Sequence, residues 1–193
     1  METEMGLLIA GLVLFWAGHA LPIFYPPKRA KLAARLGDGG IKGATTLVLL
    51  IALIMIVIGY QRAEFITVWY PPGWLVHVNN LLMVIAVAIF ISGSLKGWPA
   101  DKIRHPQLTG VKIWAVAHSL VNGDLASIIL FGGLLGWAVA AMIALNKRDG
   151  KAPLEKRSTP KSAALHVVAT LVVFGVVSGV HTYLGYSPFP GGA

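Results

Sequence analysis

Polar and apolar residues along this chain separate into long blocks instead of alternating. Met5 to Tyr25 carries no charged residue, and neither does Gly43 to Tyr60, a run of leucine, isoleucine, valine and small residues. Trp74 to Leu95, Leu125 to Asn146 and the stretch from Ser162 to Ala193 are likewise uncharged. A hydrocarbon layer of roughly 30 Å takes about 20 residues of helix at 1.5 Å each. In lipid only an α-helix or a closed barrel satisfies its own backbone, and continuous apolar runs without period-two alternation decide for helices. The leader of the first block carries Glu2 and Glu4 instead of basic residues, and its apolar run outlasts a signal-peptide core. It is therefore expected to remain as a membrane helix.

The basic residues set an orientation. Lys28, Arg29, Lys31, Arg35 and Lys42 follow the first block, and Lys96, Lys102, Arg104 and Lys112 follow the third. Lys147, Arg148, Lys151, Lys156, Arg157 and Lys161 precede the last, whereas the loop from Gln61 to Gly73 has Arg62 alone, balanced by Glu64. The positive-inside rule makes the three basic loops cytoplasmic and the N-terminus external. Two of those loops flank Leu125–Asn146, so the chain between them must cross twice. Pro106 is a good first helical residue, and a helix from there to Val121 is roughly 24 Å long, short for a span. Asn122-Gly123 reads as a turn and Asp124 as the cap of a helix starting at Leu125. The expectation is an all-α polytopic bundle of about six transmembrane helices, both termini outside. Five spans with Pro106–Val121 as a re-entrant half-helix is the alternative.

Composition narrows the function. Charged residues are 12% of 193, with a mean hydropathy of +0.72, leaving no room for a separate soluble domain. Residues 1–193 are expected to form one integral membrane domain, with the lipid bilayer as its partner. The absence of cysteine removes disulfides, thiolate metal sites and thiol catalysis. A net charge of +8 would suggest nucleic acid in a soluble chain; here it reads as topology and lipid contact. Gly132–Gly136 and Gly175–Gly179 are small-xxx-small pairs suited to close helix contact. Trp69, Tyr70, Trp74, Trp98 and Tyr186, near span ends, read as interface anchors.

Six histidines carry the chemical content. Depth sorts them: His105 and His166 toward the inner surface, His77 and His181 toward the outer, His19 in the inner half of the first span, and His118 near mid-bilayer. Two histidines share one metal when they lie at similar depth on different helices, which gives His19–His118, His77–His181 and a surface pair His105–His166. His105 and His118 are roughly 20 Å apart along one helix and cannot ligate one ion. His77 reads as an interfacial side chain near Asn79 and Asn80, His181 as a helix–helix hydrogen bond, and His166 as a first-turn surface residue. His118 has Trp114 one turn below and Asn122 one turn above on its face.

The segment Arg104-His105-Pro106-Gln107-Leu108-Thr109-Gly110-Val111-Lys112-Ile113-Trp114, followed by Ala117-His118 and Asn122-Gly123-Asp124-Leu125-Ala126-Ser127, resembles the NnrU family of bacterial membrane proteins. Gly18-His19-Ala20-Leu21-Pro22 fits that family's opening motif, and the resemblance runs over essentially the whole chain. It implies a place in the bacterial inner membrane and a similarity to plant ζ-carotene isomerase, which uses haem b to isomerise a cis double bond. The isomerase's two haem-ligand histidines match His19 and His118. Haem b ligated by this pair is thus what the resemblance implies, with Asn122 as a supporting contact to His118. Arg29, Arg104 and Lys112 are the expected partners for its propionates. The implied activity is redox-gated isomerisation of a hydrophobic polyene, or a haem function in nitrogen-oxide metabolism. The Arg104-His105-Pro106 step also looks like the inner-surface motif of membrane methyltransferases that hold S-adenosylmethionine. This chain departs from them in having a single downstream glutamate, Glu155, and no acidic motif in its C-terminal end. A cofactor-free assembly factor is the remaining class.

Overall fold

The computed structural model describes residues 2–95, 98–99, 101–150 and 158–189. Lys96, Lys151, Lys156 and Arg157 of the predicted inner loops, and Glu155, lie outside them. The chain is all-helical: α1 Glu2–Phe24, α2 Pro26–Arg62, α3 Leu75–Leu95, α4 Pro106–Val121, α5 Leu125–Asp149 and α6 Pro160–Tyr183. Among the described residues the one extended pairing is a lone antiparallel bridge between Thr67 and Asp124. Five helices, all but α4, are long and apolar enough to cross a membrane. With 16 residues, α4 reaches roughly 24 Å.

Helix α2 departs from expectation at its start. Its apolar block begins at Gly43, yet the helix runs back to Pro26 and takes in the whole basic stretch. Lysine and arginine are barred from hydrocarbon but are good helix formers, so hydropathy marks where the membrane begins and not where the helix does. The two parts are separated at Gly37, whose φ of 75° and ψ of 155° are open to glycine at little cost. Helix α6 likewise begins at Pro160, ahead of Ser162. Thr159 accepts from the Ser162 backbone N–H, and the Ser162 hydroxyl accepts from the Thr159 N–H.

By their contacts the residues fall into two units: residues 1–69 with 124–148, holding α1, α2 and most of α5, and residues 70–123 with 149–193, holding α3, α4 and α6. In the first, α1 and α2 form an antiparallel hairpin of close approach. A Cβ added at Gly59 would collide with the Leu8 backbone, and one at Gly11 would sit 2.8 Å from Ile56 N. Helix α5 joins them where the Trp16 indole donates to the Gly133 carbonyl at 3.2 Å. The loop after α2 adds a backbone bond from Leu125 N–H to Ile66 O at 2.9 Å. In the second unit α4 packs on α3, a Cβ at Gly110 falling 2.7 Å from Phe90 Cβ, and α6 packs on the same helix.

The approaches close enough to meet a neighbouring backbone therefore fall on Gly11, Gly59 and Gly110. Of the glycines singled out from spacing, Gly136 faces Trp16, whereas Gly132, Gly175 and Gly179 open onto empty space among the described residues. Spacing alone does not say which helix face meets a neighbour. Tyr70, Trp74, Trp98 and Tyr186 are largely exposed, as anchors at a lipid–water boundary would be.

Candidate functional site

Each expected ligand histidine is positioned by its own helix. On α1 the His19 Nδ1 lies 3.0 Å from the Phe15 carbonyl, and on α4 the His118 Nδ1 lies 3.0 Å from the Trp114 carbonyl. A carbonyl oxygen can accept but not donate, so Nδ1 carries the proton in both neutral rings. The lone pair then resides on Nε2. That is the tautomer iron ligation through Nε2 requires, with the other nitrogen held by an acceptor. The donor set fits haem iron in this respect.

In the first unit, His19 is half-buried among aromatic rings. Its centroid lies 4.4 Å from that of Phe15 and 4.7 Å from that of Trp137, whose rings in turn meet edge-on at 5.1 Å. Trp137 is buried on α5. Its ring neighbours are thus aromatic and apolar.

In the second unit, His118 lies beside Trp114, with ring centroids 5.0 Å apart. It lines a cavity of about 40 Å³ with Asn79, Asn80, Phe174 and His181. Asn79 is buried, and its Oδ1 has no hydrogen-bond partner among the described residues. Asn122 was expected to support the His118 ring; its amide instead donates to the His118 backbone carbonyl at 2.8 Å, closing the end of α4. Arg104 and Lys112, both half-buried, belong to this unit, Arg104 just ahead of α4 and Lys112 within it.

The remaining histidines separate differently from their expected pairs. His77 is exposed at the start of α3. His105 is the N-cap residue of α4 and makes no side-chain capping bond. His166, expected at the surface, is buried against the backbone of Ala88 on α3 without a well-formed hydrogen bond. His181 was separated from His118 by depth, yet both line one cavity, and its Nδ1 is also held by the carbonyl four residues back, Val177 O at 2.8 Å. Depth along separate helices sorts ligands for a single atom. It does not sort the walls of a cavity that extends over about two turns of α3 and α6.

Arg29 belongs to the first unit, where its guanidinium pairs with Asp38 at 2.9 Å. Asp124 caps α5 as its position predicts, accepting from Ser127 N–H at 2.9 Å, and its other oxygen takes the Ser127 hydroxyl. The hydroxyls of Ser127 and Tyr60 lie 2.8 Å apart, so a chain from half-buried Tyr60 to buried Ser127 and Asp124 ties α2 to the start of α5. Sequence reading found its aspartate but not Tyr60, which ends an apolar block and carries no local signal.

Among the described residues no group of three or more histidine, cysteine, aspartate or glutamate side chains is arranged to hold a metal ion. A site with two imidazole ligands lies below that number. No curated protein and no solved structure gives a significant match to the chain. The profile of the family described as NnrU protein matches residues 7–188, nearly the full length. The chain is thus a membrane protein of the NnrU family.

Proposed function

We propose that this chain is a haem b protein of the bacterial cytoplasmic membrane, with His19 and His118 as iron ligands, its basic loops in the cytoplasm and both termini outside. The family resemblance singles out these two histidines, and the geometry supports the reading: each Nδ1 is committed to a carbonyl of its own helix, which leaves Nε2 as the ligating atom. When bound, haem supplies a redox-active iron whose behaviour is tuned by its imidazole ligands and their surroundings. The protein's own groups act around it. Phe15 and Trp137 exclude water from the His19 ring and limit its rotation. The Trp114 carbonyl orients His118, the Asn122 amide secures the helix end above it, and Arg104 and Lys112 offer positive charge to the propionates.

The cavity beside His118 has room for a water molecule or two. It is too small as it stands for either a haem or a polyene, so its volume does not choose between a redox or nitrogen-oxide role and polyene isomerisation. The direct test is haem content after purification in mild detergent from haem-sufficient cells. About one haem b per chain is expected. A colourless protein that binds S-adenosylmethionine in an Arg104- and His105-dependent manner would overturn the proposal in favour of methyl transfer, and a colourless one that binds neither would leave an assembly factor. Haem-dependent isomerisation of a cis-polyene in vesicles would keep the cofactor and assign the isomerase role over a redox or nitrogen-oxide one.

A further inference from the structure

A second cavity, of about 220 Å³, lies in the unit that holds His19. Its polar wall is Arg29, Lys42, Thr45 and Thr46, and Pro22 and Ile41 contribute apolar surface. The break at Gly37 makes it possible. On one straight helix Arg29 and Lys42 would be roughly 20 Å apart; with the chain turned at Gly37, both line one space. Arg148, on α5, adds a third cation nearby, its Nη1 donating to the Pro22 carbonyl at 3.4 Å.

The charge here is one-sided. Asp38 is the only carboxylate in the sequence between Glu4 and Glu64, against Lys28, Arg29, Lys31, Arg35 and Lys42. It pairs with Arg29 and is itself largely exposed, while Lys42 pairs with no carboxylate among the described residues. Two cations and two hydroxyls around one cavity form a donor-rich site for a tetrahedral oxyanion. The site lies where the uncharged blocks of α1 and α2 meet the basic segment. Beyond it α2 exposes Leu47, Leu50, Ile51 and Ile54. An anion held here would therefore have an apolar face running away from it.

We infer that this cavity binds the phosphodiester head group of an anionic membrane phospholipid, its acyl chains lying along the exposed leucines and isoleucines of α2. Basic pockets at the cytoplasmic ends of membrane helices hold such head groups in this way. Arg29 and Lys42 supply charge, Thr45 and Thr46 donate to phosphate oxygens, and Asp38 keeps the Arg29 side chain in place until a lipid enters. The resemblance would have assigned Arg29 to a haem propionate; the shared cavity with Lys42 and the lipid-facing α2 assign it to phosphate instead.

Native mass spectrometry of the detergent-purified chain, titrated with phosphatidylglycerol or phosphatidylethanolamine, tests this. Tight binding of one phosphatidylglycerol is expected, with phosphatidylethanolamine much weaker. Lys42→Gln and Arg29→Gln should each weaken the anionic lipid about fivefold, the factor for one cation at an anionic surface. Lys42→Arg should restore it, and Lys102→Gln, an exposed cation of the other unit, should change nothing. Equal weakening by Lys102→Gln would reduce the effect to general surface charge and overturn the site. Full competition by millimolar inorganic phosphate, with no lipid preference, would make it a free-phosphate site. Loss of haem from Arg29→Gln with lipid binding intact would overturn the assignment and return Arg29 to a propionate. Because the titration reads lipid mass, it stands or falls separately from haem ligation.

Discussion

His19 and His118 hold their rings in the same way and keep different company. Each uses the carbonyl four residues back as acceptor, a bond any well-turned helix offers. Around His19 the ring neighbours are Phe15 and Trp137. Around His118 the cavity neighbours include Asn79, whose Oδ1 has no partner among the described residues, a second asparagine and a second histidine. Ring orientation is thus a local product of the helix, whereas the surroundings are built by packing. His181 makes the point: it has the same backbone bond but is exposed. The tautomer is necessary for ligation and does not by itself select a ligand. A wall of aromatic rings and one that carries amide and imidazole groups also act differently on a bound iron, since exposure and hydrogen bonding near the ligands shift its reduction potential.

The sharpest way to break this contrast is to open the aromatic side. Trp137→Ala removes a buried aromatic side chain from contact with His19 and should cost roughly 3–5 kcal/mol of stability. If the variant is recovered, its reduced haem should be more readily oxidised. Detergent melting and potentiometry read the two effects separately; unchanged values in both would mean that the aromatic wall has no role. A smaller effect is expected in the same unit at Asp124. Asp124→Asn keeps an oxygen for the Ser127 N–H and should melt near wild type, while Asp124→Leu should lose about 1 kcal/mol. Equal loss of haem spectrum in both variants at normal yield would show that the carboxylate charge, and not the cap, is what matters.

Much of this was legible from residue order, because a bilayer imposes a coarse code. Each apolar block coincides with the body of one observed helix, although the last block runs on past Tyr183, where α6 ends, and α4 begins and ends where Pro106 and the Asn122-Gly123 turn place it. Asp124 was readable as a cap because capping involves residues close in sequence. Features that depend on which face meets which neighbour were not readable. The basic segment ahead of Gly37 is helical by local propensity, which hydropathy overlooks, whereas the burial of His166 and the cavity shared by His118 and His181 follow from side-chain packing between helices distant in sequence. Hydropathy reports depth. It says nothing about azimuth around the helix axis, and azimuth decides partners.

The assignment of His19 and His118 is tested most directly by reduced-minus-oxidised absorption spectra of the purified chain and four single variants. The wild type should show a Soret band and sharp reduced α and β bands, the signature of low-spin iron with two imidazole ligands. His19→Ala and His118→Ala should each abolish those bands or convert them to a five-coordinate form. His77→Ala should leave them unchanged, and His181→Ala should retain them with at most a small shift in position, since His181 borders the His118 cavity. Wild-type bands in His19→Ala together with their loss in His181→Ala would contradict the account and make His118 and His181 the ligand pair.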